Sequence, residues 1–221
     1  MPRSSEPLDV ATPLGPARAH VVAHTGRRRA PRGVLVLGHG AGGGVDAPDL
    51  QVAADVAAAA GWRCVLVEQP WRVAGGRVAP APPRLDTGWL AVLAALADEG
   101  LAGPGTRTGP LVVGGRSAGA RVACRTAVTT GAAGVLCLAF PLHPPGRPEK
   151  TRADELAGAG VPVHVVQGRR DPFGGPEEVT ALGLAGVVVA AVDGDHGLRA
   201  SARPEGAVAA AVAAALATVA T

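Results

Sequence analysis

The stretch Leu111-Val112-Val113-Gly114-Gly115-Arg116-Ser117-Ala118-Gly119-Ala120-Arg121 decides the fold. It opens on a short β-branched apolar run, passes through a tight Gly-Arg-Ser-Ala-Gly turn, and continues with helical spacing over 118–129. A strand buried on both faces that feeds a helix through so sharp a turn belongs to a parallel sheet covered by helices. Small residues two positions either side of Ser117 let the turn close, and its hydroxyl is then left exposed at a helix amino terminus. With four serines and 32 glycines in 221 residues, such a GxSxG arises by accident in roughly 8% of chains of this composition. A glycine turn with an ordinary serine is the bland alternative.

Outward from that turn, the same apolar run recurs at 34–37, 64–67, 135–138, 163–166 and 187–192, with two further strand candidates at 8–12 and 18–24. Segments with helical spacing lie between them at 47–60, 85–99, 177–184 and 201–220. Strands alternating with helices predict an α/β fold with a mostly parallel sheet, helices on both faces and ligands at the carboxyl ends of the strands. The proline-rich stretch 140–160 holds only a short possible helix at 152–157, so a large lid is not expected. No repeat or long linker divides the chain, and a single domain over 1–221 is the expected organisation.

A serine hydroxyl needs an imidazole as general base and a carboxylate to orient that imidazole. Asp171 follows the strand at 163–166 in GRRDPFG, and His196 follows the last strand in DGDHG. Both sit where a shared site must be, in the order Ser117, Asp171, His196. On its own, Asp171 reads equally as a turn residue before Pro172. His143 competes as a base but precedes the acid, while His20, His24 and His164 fall in strands.

The run Gly38-His39-Gly40-Ala41-Gly42-Gly43 follows the strand at 34–37. It matches the GxGxxG of dinucleotide sites, with Glu68 as a ribose-binding acid. However, Val45, Asp46, Ala47 and Pro48 intervene before helical spacing begins, and the acid lies too far along the chain. An oxyanion-binding turn is the preferred reading, with the amide of Ala41, or alternatively Gly42, acting together with that of Ala118. Candidate substrate contacts are His39, Gly42, Arg116 and His143. Arg116, Arg121, Arg169 and Arg170 would make a cationic mouth if unpaired. Trp71 and Trp89 flank the loop 70–87 and are candidates for a pocket wall or for simple packing.

Composition narrows the function. Aromatics make up 2%, Tyr is absent, and the net charge is +3 with basic residues scattered, which disfavours a nucleic-acid surface. The apolar run 207–220 is shorter than a bilayer span requires, and residues 1–10 lack the apolar core of a secretory signal. Cys64, Cys124 and Cys137 lack metal-ligand spacing and fit reduced core thiols in a cytoplasm. No cofactor or metal is expected. The expected partner is a small acyl compound, and the sequence leaves oligomeric state open.

The stretches LVLGHGAGGG (35–44), VVGGRSAGARVA (112–123), LAFPLHPPGRPEKTRADEL (138–156), VVQGRRDPFG (165–174) and GDHGL (194–198) resemble the α/β-hydrolase superfamily. More narrowly, they resemble the small lidless dienelactone-hydrolase-like bacterial proteins, a group that includes testis-expressed protein 30 and the hydrolase-like domain of a chromatin-complex subunit. The resemblance implies about eight strands with an antiparallel second strand, Ser117 as nucleophile, Asp171 as acid and His196 as base. It does not imply a substrate. Dienelactone hydrolases proper use a cysteine nucleophile, and some relatives serve as scaffolds, so a catalytically weak binding scaffold is the alternative to a serine hydrolase of small esters.

Overall fold

The computed structural model describes residues 6–25, 30–102 and 109–219. Its strands are β1 (Leu8–Val10), β2 (Ala17–Val22), β3 (Val34–Gly38), β4 (Arg63–Glu68), β5 (Leu111–Arg116), β6 (Gly134–Leu138), β7 (Val163–Gly168) and β8 (Val187–Val192). They form one sheet in the order β1-β2-β4-β3-β5-β6-β7-β8. β2 runs antiparallel to both neighbours and every other pairing is parallel, which agrees with the expected architecture.

The central strands bury both faces, so alternate residues feed two cores. Val34, Val36, Val65 and Val113 face one core with Trp89 and Phe140, whereas Leu35, Leu37, Leu66 and Val112 face the other with Leu50 and Trp62. Helices α3 (Pro82–Asp98) and α4 (Ala118–Thr126) cover the first face, and α1 (Pro48–Ala59) and α7 (Ala207–Val219) cover the second. This two-sided burial explains why the strands read as unbroken apolar runs.

Three shorter helices complete the fold: α2 (Pro70–Val73), α5 (Ala153–Ala157) and α6 (Pro176–Ala181). The loop expected over 70–87 holds α2 and the start of α3: four residues opened by a proline carry no periodicity, and Pro82 and Pro83 read as loop although a helix tolerates proline in its first turn. The last helix begins at Ala207, not at 201, because the Ser201 hydroxyl turns back to the Asp193 carbonyl and the Gly206 amide donates to Arg203. Residue 220 of that predicted helix lies outside the described residues. Between β6 and β7 the chain carries only α5, so no lid stands over the strand ends. The three cysteines are free and buried, with Cys124 and Cys137 sulfurs 3.6 Å apart in the core. Among the described residues no helix is long and apolar enough to cross a membrane, and no three His, Cys, Asp or Glu side chains are grouped to hold a metal.

Candidate active site

Ser117 sits between β5 and α4 with φ 52° and ψ −108°, a conformation that costs an L-residue on the order of 1–3 kcal/mol. Its surroundings impose this strain. The chain crosses β3 so closely that a Cβ on Gly119 would lie 2.3 Å from the Gly38 carbonyl oxygen, and one on Gly115 would lie 2.4 Å from the same atom. The Ser117 amide donates to the Leu138 carbonyl at 3.0 Å, fixing the turn to β6.

His196 reaches Ser117 from the loop after β8. Its Nε2 is 2.9 Å from the serine Oγ, and its Nδ1 is 2.8 Å from Asp171 Oδ2. The Asp171 side chain is fully buried. Its other oxygen accepts the Phe173 amide at 2.9 Å, and Oδ2 also accepts from Gln167 Nε2 at 3.0 Å. Because Asp171 accepts at Nδ1, that nitrogen carries the proton and Nε2 is left free to take one from the serine. Phe173 lies against the imidazole with ring centroids 4.3 Å apart.

Gln167 was not singled out from the sequence. It is fully buried in β7 and bonds both backbone groups of Phe140, the Gly174 carbonyl and Asp171. The one signal available was a lone polar side chain in the apolar run VHVVQG, next to the loop that carries the acid.

The glycine turn enters α1 only at Pro48, so no helix opens at the glycines as a dinucleotide site requires. Among the described residues, neither the Ala41 nor the Ala118 amide donates to a protein acceptor. Ala118 opens α4, where the first helical N–H groups have no intrahelical partner. Gly40 packs against the nucleophile: a Cβ there would lie 3.5 Å from that of Ser117.

The four candidate contacts have different fates. His39 is buried; its Nε2 accepts the Gln69 amide at 3.2 Å and its Nδ1 donates to the Gly40 carbonyl at 2.9 Å, which leaves no nitrogen for a substrate. Burial also pushes its pKa down, consistent with the neutral ring that this pattern needs. Gly42 is exposed beside the mouth. Arg116 donates to the His196 carbonyl at 2.8 Å and lies 3.0 Å from the buried Asp49 carboxylate, so it ties α1 to the histidine loop. Burial raises the Asp49 pKa and Arg116 opposes that rise.

His143 donates to the Pro144 carbonyl at 3.0 Å and pairs with Glu178 at 3.0 Å. These bonds raise its pKa, the Pro144 carbonyl first, and its own amide donates to Phe173 at 3.0 Å. The LHPPGRPE segment therefore braces the loop that carries Asp171.

Each of the four arginines that would make a cationic mouth if unpaired lies near a carboxylate. Besides Arg116, Arg121 binds Glu155 at 2.6 Å, Arg169 lies 3.6 Å from Glu177, and Arg170 lies 3.6 Å from Asp193. An open polar groove does border the site, lined by Gly42, Gly43, Arg72, Arg116, Gly197 and Arg199.

A serine turn after β5, an acid after β7 and a histidine after β8 on this sheet define a class. The chain belongs to the α/β hydrolase domain family, whose model matches residues 31–221. No curated protein matches it in sequence. The fold recurs in a serine hydrolase without a lid from Xanthomonas campestris, at 18% identity and TM-score 0.75, covering 98% of this chain and 94% of that one. It recurs in an α/β serine hydrolase homologue from Coxiella burnetii at 15% identity and TM-score 0.75, covering 97% and 98%. Est1E from Butyrivibrio proteoclasticus is similar at 13% identity and TM-score 0.76, again covering 97% and 98%.

Proposed function

We propose that the protein is a serine hydrolase of small carboxylic esters, acting through an acyl-enzyme. The observation that carries this reading is the unbroken chain from Ser117 Oγ to His196 Nε2 at 2.9 Å and from His196 Nδ1 to Asp171 Oδ2 at 2.8 Å. In the first half-reaction His196 takes the serine proton as Oγ attacks the carbonyl carbon, and Asp171 stabilises the imidazolium. The oxygen that gains charge is held by the Ala41 and Ala118 amides. Collapse breaks the ester bond, and His196 returns the proton to the departing alcohol. A water activated by the same histidine then releases the acid and restores the serine.

The connected chain favours turnover over a scaffold, because a pure scaffold has no use for a buried acid held by Gln167 and the Phe173 amide. Est1E has been solved with ferulic acid bound, which supports carboxylic acids and their esters as the compounds to try first. The LHPPGRPE segment supports the narrower kinship with dienelactone-hydrolase-like proteins. Three free, buried cysteines support a reducing, cytoplasmic setting. A fluorophosphonate probe tests the reading: the wild type should be labelled at Ser117 and should cleave activated esters, and the Ser117→Ala variant should do neither. Equal turnover by both proteins would refute it.

A further inference from the structure

The His196 imidazole is held from two directions. Asp171 fixes the ring through Nδ1 at 2.8 Å, and the Arg116 guanidinium holds the main chain behind it, Nη2 donating to the His196 carbonyl at 2.8 Å. Among the described residues, that is the one hydrogen bond made by the His196 main chain. The ring keeps Nε2 on Ser117 Oγ only while its backbone stays in place, because turning the side chain to follow a displaced Cα would break the bond to Asp171.

Arg116 is itself clamped. Its Nε lies 3.0 Å from Oδ2 of the fully buried Asp49 side chain, and Oδ1 of the same carboxylate accepts the Leu50 amide at 3.0 Å. Asp49 is the second residue of α1, where the unpaired amides of the helix start favour a negative charge. The third nitrogen of Arg116 faces the glycine turn: a Cβ on Gly40 would lie 2.9 Å from Nη1 and 3.5 Å from the Ser117 Cβ. One guanidinium therefore lies against α1, the glycine turn and the histidine loop, from the position next to the nucleophile in the chain. A planar fork with five N–H donors in fixed directions can do this, whereas the single ammonium of a lysine cannot.

Stability alone does not call for such a pair. A buried ion pair is often no more stabilising than apolar side chains of similar volume, because desolvation offsets the attraction. Geometry does call for it, since three fixed contacts surround the reacting groups. We propose that Arg116 and Asp49 are positioning residues: Asp49 orients the guanidinium, and the guanidinium sets the His196 main chain and the glycine turn at fixed distances from Ser117. The inference rests on the hydrolase reading above and adds to it the residues that keep Nε2 on Oγ while the proton moves.

The test separates position from stability by exchanging the whole pair. Asp49→Leu and Arg116→Met, made together in the full chain, leave no buried charge unpaired, so the Tm should stay close to that of the wild type. The kcat on phenyl acetate, counted per serine titrated to completion with a fluorophosphonate, should fall by about tenfold to a hundredfold with KM little changed. That is the loss that a misplacement of about 1 Å brings. Asp49→Asn alone keeps the shape but loosens the guanidinium, and should lower kcat in the same direction by less. A folded double variant with wild-type kcat overturns the inference, as does a loss confined to KM, which would make Arg116 a substrate contact. Should the double variant fail to fold, Asp49→Asn decides: a lower kcat at unchanged KM supports the clamp, and an unchanged kcat overturns it. Failure of the hydrolase reading looks different: the wild type itself cleaves no ester and is not labelled at Ser117.

Discussion

The two ends of the site are finished to different degrees. On the β7–β8 side the side chains around the reacting atoms are tied together: Asp171 takes bonds from Gln167, Phe173 and His196, and the Arg116 guanidinium holds the His196 carbonyl. Among the described residues on the β3–β4 side, Gln69, Trp71 and Trp89 keep buried polar atoms without hydrogen-bond partners, and the Ala41 amide donates to no protein acceptor. The side that fixes Asp171 and His196 is held by a dense set of hydrogen bonds, and the side around the glycine turn is held more sparsely. A fixed acid and imidazole is what the proposed proton transfers call for.

Removing the group shared by both sides gives the largest effect. Ser117→Ala should lower kcat by about 10⁴ or more, with the circular dichroism spectrum unchanged, because the hydroxyl makes only the one bond to His196. Next comes the frame between the two sides: Gly119→Ala puts a Cβ 2.3 Å from the Gly38 oxygen. It should lower unfolding stability in urea by about 3 kcal/mol, in the range typical of overpacked cores. On the β7–β8 side, Gln167→Leu should reduce kcat by about tenfold to a hundredfold with KM little changed. That split separates a residue that positions the acid from one that binds substrate.

The smallest effect concerns the brace behind the acid, where the pH dependence has a definite sign. The His143 pKa is raised above its ordinary 6.5, by the Pro144 carbonyl first and then by Glu178, so its contribution is full below 6.5 and fades as pH rises through the raised value. The Glu178 pKa is lowered from 4.5, by the Gly175 amide first and then by His143, so its contribution is full above 4.5 and fades as pH falls through the lowered value. The Tm gap between wild type and His143→Gln should therefore be greatest between pH 4.5 and 6.5 and should shrink on the alkaline side. A gap that widens towards alkaline pH would contradict the pairing.

The β7–β8 side was largely legible in the sequence and the β3–β4 side was not. Ser117, Asp171 and His196 each follow a β-branched run at a strand's carboxyl end, so strand reading alone brings them to one edge. Gln167 escaped because a glutamine inside a strand has no signature until its four partners are seen in space. The fate of the arginines also depended on packing: nothing in Gly-Arg-Ser announces that Arg116 reaches Asp49, 67 positions earlier in the chain. Trp71 and Trp89 were recognisable as wall or packing residues, but unpartnered indole N–H groups are a property of the fold and not of the local sequence.

The glycines of the site also divide into positions closed to change and positions open to it. Around the crossing of β3 and α4, a side chain on Gly114, Gly115 or Gly119 would drive into backbone oxygen, so this part of the enzyme has no room in which to vary. At Gly42 and Gly43 an added Cβ meets nothing within 4 Å, and both residues border the polar groove beside His196. New walls can be raised there without moving an existing atom. The rim of the glycine turn is thus the place where the wall of that groove can be rebuilt by single substitutions while the frame around Ser117 stays still.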